Sequence, residues 1–187
     1  MRIMNMTNIL VIVGGISKGS LNQKLFRAFR DLAAKEYLME SFDISQLPFF
    51  SQDLEEDLPS IVRDFKTKIE ASSAILFITP EYNRSFPGVI KNAIDWGSRP
   101  YGKNSWNKKT AGLIGASIGS IGTFGAQNHL RQVLNCLDLQ IMNQPEFYLN
   151  GSKAFDENGK LNDPKIQSFI EKYWVSYSEW INKHALI

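Results

Sequence analysis

The run Ala74-Ile75-Leu76-Phe77-Ile78 constrains the fold of this chain more than any other segment. Five apolar residues without an alternating polar face are typical of a parallel strand that is buried on both faces. The polar segment Thr79-Pro80-Glu81-Tyr82-Asn83 follows directly, at the end of the strand where open α/β sheets bind their ligands. A helix is predicted to begin at Pro87. The order of strand, polar loop and helix therefore predicts a binding site at this edge of a sheet.

Apolar segments alternate with helical patterns along the whole chain, which indicates βαβ units around a parallel sheet. Strands are predicted at residues 8–13, 37–42, 74–78, 110–116 and 141–149, the last of them interrupted by Pro145. Helices are predicted at residues 20–34, from 59 onward, from 87 to 96, at 126–137 and at 164–183. We expect a single domain over residues 1–187. The pattern predicts a flavodoxin-like three-layer α/β/α sandwich with a five-stranded parallel sheet in the order 2-1-3-4-5.

Charge and cysteine content exclude several classes of function. A net charge of +2 is too small to draw the chain to nucleic acid or to a membrane surface, and the apolar run Ile9–Val13 is too short to span a bilayer. One cysteine, Cys136, predicts no intramolecular disulfide, no metal site and a reducing, cytoplasmic setting. We expect Cys136 to be a small buried hydrophobic residue, and Trp106 to lie in a solvated loop before the fourth strand.

The connection Gly14–Asn22 between the first strand and the first helix is suited to a phosphate. Glycines allow backbone N–H groups to point inward, and a helix N-terminus favours an anion. The side chains that add donors or positive charge are Ser17, Lys18, Ser20 and Asn22. The alternative is a tight turn before a capped helix, because Ser20 and Gln23 form a capping box. The residues of this loop leave both interpretations open.

Two further segments carry a more specific pattern. Pro80-Glu81-Tyr82-Asn83 precedes Ile90-Lys91-Asn92-Ala93-Ile94-Asp95-Trp96, and Gly115-Ala116-Ser117-Ile118-Gly119 precedes Leu130-Arg131-Gln132-Val133-Leu134. Together with the glycine-rich first loop, these segments resemble the NADPH-dependent FMN reductase family, which includes quinone, azo-dye and chromate reductases. The similarity extends from the first strand to about Asp138.

The resemblance implies a cofactor, a reaction and a set of binding residues. FMN would be the cofactor and NADPH or NADH the co-substrate, with a small-molecule acceptor reduced in a ping-pong reaction that needs no catalytic side chain. The implied phosphate ligands are Ser17, Lys18, Ser20 and Asn22, and the implied neighbours of the flavin ring are Pro80, Glu81, Tyr82, Asn83, Ser117 and Gly119. Glu81 would brace its loop, Tyr82 would also wall the substrate side, and Arg99 would help to position the pyridine nucleotide.

The first loop departs from the pattern of the family. Ser17 stands where an arginine is usual, and Gly15 stands where a serine is usual. An arginine holds phosphate through two parallel hydrogen bonds, which the charge on Lys18 does not reproduce. We therefore expect a lower affinity for FMN.

Two other functions are open at this stage: an electron carrier of the flavodoxin type, and a flavin-free binding module of the same fold. The resemblance also implies a homodimer or homotetramer. The loop Leu47-Pro48-Phe49-Phe50 is a candidate contact between subunits, or else it folds over its own core.

Overall fold

A parallel sheet with the order β2-β1-β3-β4-β5 lies at the centre of the computed structural model, which describes residues 6–184. Its strands are β1 (Thr7–Val13), β2 (Tyr37–Ser41), β3 (Ala74–Ile78), β4 (Thr110–Ser117), β5 (Gln140–Ile141) and β6 (Tyr148–Asn150). Every pairing between these strands is parallel. The predicted order 2-1-3-4-5 and the flavodoxin-like architecture are confirmed.

The predicted fifth strand, residues 141–149, is two short strands in the structure, so that the sheet has six. Strand β5 pairs with the beginning of β4, at Thr110 and Ala111, whereas β6 pairs with its end, from Gly115 to Ser117. Pro145 lies between the two short strands. Proline has no N–H to donate to a ladder, and its presence between β5 and β6 is consistent with the break in pairing.

Within residues 6–184, five α-helices cover the two faces of the sheet. They are α1 (Leu21–Asp31), α2 (Ser60–Ala71), α3 (Gly88–Ser98), α4 (Phe124–Cys136) and α5 (Pro164–His184). Helices α1 and α5 pack on one face, and α2, α3 and α4 pack on the other. Among residues 6–184, no helix has both the length and the apolar character that crossing a membrane requires.

The central strands are apolar throughout because both of their faces are covered. In β1, Ile9 and Val11 pack toward α1 and α5, while Leu10 and Ile12 pack toward the opposite layer. All five residues of β3 are fully buried. Each large aliphatic side chain buried in this way contributes about 1.5–3 kcal/mol, so the central strands hold the carboxyl edge of the sheet in a fixed position.

Two expectations about burial were wrong. Trp106 is fully buried and its Nε1 donates to the carbonyl of Ile94 at 2.9 Å, because its ring fills a gap in the core beneath the loop that carries it. Cys136 is exposed. Leu130 and Leu134 define the buried face of α4, and a residue two positions after Leu134 points roughly to the other side of a helix.

Candidate active site

Three connections meet at the carboxyl edge of the sheet. They comprise residues 14–20 after β1, residues 79–87 after β3 and residues 118–123 after β4. Strands β1, β3 and β4 are adjacent and parallel, so their connections to the next helix begin side by side. The connections that carried the three sequence motifs are thus neighbours in space.

The first connection presents a row of unused backbone donors. The amides of residues 15–19 donate to no acceptor within the part of the chain that the structure describes, and Ser17 and Lys18 are exposed. The loop ends at the N-terminus of α1, where the helix dipole also favours an anion. This arrangement fits a phosphate group.

Ser20 caps α1, as the sequence predicts. Its Oγ accepts hydrogen bonds from the amides of Asn22 and Gln23 at 3.2 and 3.3 Å. The reciprocal half of the predicted capping box is not formed, because Gln23 Nε2 donates to the carbonyl of Gly15 instead. A Cβ on Gly15 would lie only 2.0 Å from Ser20 Oγ, so the glycine leaves room for the cap.

Asn22 ties the first connection to β4. Its side chain is buried, donates to the carbonyl of Ala116 and accepts from the amide of the same residue, both at 2.9 Å. These bonds engage both ends of the side-chain amide. The structure therefore gives Asn22 a positional role, and its predicted contact with a phosphate stays a prediction.

The second connection contains a tight turn at residues 82–85. Tyr82 and Ser85 exchange backbone hydrogen bonds at 2.9 and 3.0 Å, and both central residues, Asn83 and Arg84, have positive φ angles of 50° and 65°. Asparagine tolerates this conformation, whereas arginine adopts it at a cost on the order of 1 kcal/mol. Tyr82 is left 55% exposed at the edge of the site, which suits a side chain that covers a planar ligand.

A cleft of about 260 Å³ separates this turn from the third connection. Ser117 shapes the third connection by donating to the carbonyl of Gly122 at 2.5 Å and accepting from the amide of Gly119 at 3.2 Å. The predicted residues that line the cleft are Glu81, Asn83, Ser117 and Gly119. Ile118 is 79% exposed, so an apolar side chain also borders the cleft.

Glu81 braces its loop, as the sequence predicts. Its Oε2 accepts from the amide of Ala126 at 3.0 Å, and its Oε1 lies 3.6 Å from a guanidinium nitrogen of Arg84. Pro80 is buried beneath the loop. The contacts of Glu81 with Ala126 and Arg84 hold the loop in place, and neither gives Glu81 the role of a base.

A second groove lies on the other side of the first connection. It has a volume of about 430 Å³, and its lining includes Ser17, Lys18 and Arg27. Arg27 was not identified from the sequence because it reads as an ordinary position on an amphipathic helix. Its guanidinium Nη2 lies 3.1 Å from the position that a Cβ on Gly159 would take, so the charged end of Arg27 reaches the turn at Gly159 rather than the first connection.

The structure does not bring Arg99 together with the other predicted residues within one chain. It follows α3, and a helix of 11 residues spans about 16 Å, so Arg99 lies toward the opposite edge of the sheet. Its Nε is 3.6 Å from Glu55 Oε1, and its guanidinium is 5.5 Å from the centre of the Phe50 ring. The predicted contact with a pyridine nucleotide stays a prediction.

Thr79 and Gly115 also shape the site: both belong to the motif segments of the sequence, although neither was predicted as a binding residue. A Cβ on Gly115 would lie 2.3 Å from the carbonyl oxygen of Thr79 and 2.2 Å from Thr123 Oγ1. The ends of β3 and β4 can therefore approach this closely only with a glycine here. An isolated glycine inside a strand pattern is a known sign of close backbone approach.

A doubly wound parallel sheet with a cleft at its carboxyl edge defines a flavodoxin-like protein. The family model described as NADPH-dependent FMN reductase matches residues 7–154. This chain belongs to that family, and the resemblance drawn from the sequence is confirmed. Family membership makes it an NAD(P)H-dependent oxidoreductase with FMN as cofactor.

Individual relatives match along nearly their whole length. A 2-hydroxy-1,4-benzoquinone reductase from Burkholderia sp is 41% identical over 174 residues, which cover 92% of this chain and 95% of the relative. A quinone reductase from Pseudomonas putida is 42% identical over 175 residues, covering 90% and 94%. The structure of FerB, a flavoenzyme NAD(P)H:(acceptor) oxidoreductase from Paracoccus denitrificans, superposes with a TM-score of 0.90 at 41% identity, covering 95% and 98%.

The residues at the carboxyl edge fit FMN. The unused amides of residues 15–19, with Lys18 beside them, suit the phosphate. The cleft between the turn at residues 82–85 and the third connection suits a flat ring with polar edges, because it combines peptide groups with exposed apolar side chains.

Proposed function

We propose that this protein reduces quinone-type acceptors with NAD(P)H, and that its FMN lies across the three connections at the carboxyl edge. The observation that carries the proposal is a row of amides at residues 15–19 that make no hydrogen bond within residues 6–184, at the same edge of the sheet as a solvent-open cleft lined by Glu81 and Ser117. The names of relatives of similar length support a quinone as the acceptor. When bound, FMN would supply the redox chemistry that carries a hydride equivalent from NAD(P)H to the acceptor, with the second proton taken from solvent.

The residues of the chain bind the FMN, orient its ring and line the space around it. Ser17, Lys18 and Ser20 hold the phosphate together with the loop amides, and Asn22 fixes the position of that loop. The turn that contains Tyr82 and Asn83 lines one side of the ring, and the segment Ser117–Gly119 lines the other. The amides of Tyr82 and Gly119 are engaged by Ser85 and Ser117, whereas those of Asn83 and Ile118 donate to no acceptor within residues 6–184 and are available to stabilise negative charge on the ring. No side chain of the chain is required to transfer a proton to the acceptor in this scheme.

The experiment that tests the proposed function is anaerobic reduction of the FMN-loaded protein followed by mixing with a benzoquinone. We expect NADPH to bleach the flavin absorbance near about 450 nm and the quinone to restore it. A flavodoxin-type carrier would stay oxidised in NADPH without a separate reductase. A flavin-free binding module would not take up added FMN, and either result would refute the proposal.

Ser17→Arg is expected to tighten FMN binding by tenfold or more, on the order of 1.5–3 kcal/mol for a charge-assisted hydrogen bond to phosphate. The position is exposed and borders a groove with room for the longer side chain. Fluorescence titration with FMN measures the effect. Riboflavin serves as the matched control, because it has no phosphate and its affinity should not change. Equal FMN affinity in both proteins would contradict the expectation.

We also propose that the protein forms a homodimer or homotetramer through Phe49. The side chains of the candidate loop, residues 47–50, differ in burial. Leu47 is buried and Phe50 packs on Trp96 with 5.0 Å between ring centres, whereas Phe49 is 88% exposed. The loop thus covers its own core and also presents one large aromatic side chain to solvent. An aromatic residue exposed to this extent suits a contact between subunits.

Phe49→Ser is expected to shift the protein toward the monomer in sedimentation velocity experiments. Val175→Ser is the control, because Val175 is another apolar side chain with high exposure, 60%, on a different element. An unchanged sedimentation coefficient for Phe49→Ser would remove this residue from the interface.

A small-molecule acceptor and a cytoplasmic setting complete the proposal. The net charge of +2 does not favour a nucleic acid or a membrane as partner. Cys136 is a free, exposed thiol, and a reducing compartment keeps such a group from forming disulfides with other chains.

A further inference from the structure

Helix α4 begins without a side-chain cap of its own. Thr123 precedes the helix and makes no capping hydrogen bond with its side chain. Its Oγ1 accepts instead from Gln127 Nε2 at 2.8 Å. The first amides of a helix have no partner inside the helix, so α4 needs an acceptor from elsewhere in the molecule.

Glu81 supplies that acceptor from the opposite side of the cleft. Its Oε2 accepts from the amide of Ala126, in the first turn of α4, at 3.0 Å, although the two residues are 45 positions apart. The Glu81 side chain is only 9% exposed. A carboxylate in this position gains from both the hydrogen bond and the positive end of the helix dipole.

Two other contacts hold the turn at residues 82–85 against α4. The Oγ of Ser85 lies 3.2 Å from His129 Nδ1. A Cβ on Gly125 would lie 3.0 Å from the carbonyl oxygen of Arg84 and 3.2 Å from Glu81 Oε2, which is tighter than an ordinary contact. Residues 82–85 and the first two helical turns of α4 therefore pack together as one unit.

We infer that Glu81 is a positioning residue, which sets the width of the cleft by capping α4 from across it. The carboxylate belongs to the connection after β3, whereas the helix continues the connection after β4. One hydrogen bond therefore joins the two walls between which the flavin ring is proposed to lie. The inference rests on the proposed function for the occupant of the cleft, but the bond between Glu81 and α4 can be tested without any ligand.

Hydrogen exchange of the flavin-free protein tests the bond directly. In Glu81→Ala, the amide of Ala126 is expected to exchange faster, on the order of tenfold, because it loses a charged acceptor. Glu81→Gln keeps an acceptor oxygen and should restore most of the protection. Glu157→Ala is the control, because this exposed glutamate lies in a distant turn. Unchanged exchange at Ala126 in Glu81→Ala would overturn the inference.

The affinity for FMN tests the effect on the cleft. We expect Glu81→Ala to weaken FMN binding on the order of tenfold and Glu81→Gln to recover most of it. Gly125→Ala should weaken binding as well, since the added methyl group presses the turn away from α4. Unchanged FMN affinity in Glu81→Ala, with faster exchange at Ala126, would also overturn the inference. Failure of the native protein to bind FMN would instead refute the proposed function, while exchange at Ala126 would still decide whether the bond exists.

Discussion

Trp106→Ala is expected to lower the free energy of unfolding by about 4 kcal/mol, within the range for removal of a buried aromatic side chain. The indole is fully buried, with ring-centre distances of 5.9 Å to Phe65 and 5.8 Å to Phe77. The substitution leaves a cavity among these rings, and it also removes the hydrogen bond that the indole donates to the carbonyl of Ile94. The surrounding strand and helices cannot collapse fully into such a space.

Urea and thermal denaturation measure this loss. For a domain of this size we expect the melting temperature to fall on the order of 10 °C. Trp106→Phe is expected to show a smaller loss, because it keeps part of the ring packing while it removes the hydrogen bond and part of the ring volume. Tyr101→Ala is the control, since Tyr101 belongs to the same loop and is 92% exposed. A loss below about 1 kcal/mol for Trp106→Ala would show that the loop does not anchor the core.

Gly115→Ala is expected to reduce both stability and FMN binding, by about 2–3 kcal/mol and by at least tenfold. The added Cβ would overlap the carbonyl oxygen of Thr79 and the Oγ1 of Thr123. The Oγ1 of Thr123 is held by Gln127 Nε2, and the backbone of Thr79 is held by its amide, which donates to the carbonyl of Ile114 at 3.0 Å. The ends of β3 and β4 must therefore separate, and both walls of the cleft begin there.

Thermal denaturation of the flavin-free protein and FMN titration measure the two effects independently. Gly88→Ala is the matched control, because a Cβ at this position meets no atom within 4 Å. Its effect should be neutral or slightly stabilising, since alanine loses less backbone entropy than glycine on folding. Native affinity for FMN in Gly115→Ala would show that the approach of Thr79 to β4 is not needed for binding.

The sheet and its order could be predicted because their signals are local. The bounds of β3 agree with the prediction, at Ala74 and Ile78, since a run of five apolar residues fits a strand covered on both sides. The cap at Ser20 was likewise predictable, because its hydrogen bonds reach only two and three residues along the chain. Even the division of the last strand was partly signalled, by Pro145.

The partners of the site residues could not be predicted in the same way. The resemblance implies Asn22 as a phosphate ligand, and nothing in the sequence indicates that its side chain bonds to Ala116, 94 residues away. Such a pairing depends on how helix α1 docks beside β4, and no spacing along the chain reports it. Burial outside the helices and strands could not be predicted from the sequence either. Trp106 is an example, because it lies in a loop whose residues show no periodicity.

The sequence by itself determined the class of fold, the edge of the sheet that carries the site and the family. Each depends on periodicity or on short motifs that neighbouring residues define. The tertiary structure alone decided which polar side chains remain available to a ligand and which are used to hold the loops, as Asn22 is. The physical reason is that a hydrogen-bond donor or acceptor is engaged by whatever group the fold brings within about 3 Å, and that group is often far away along the chain.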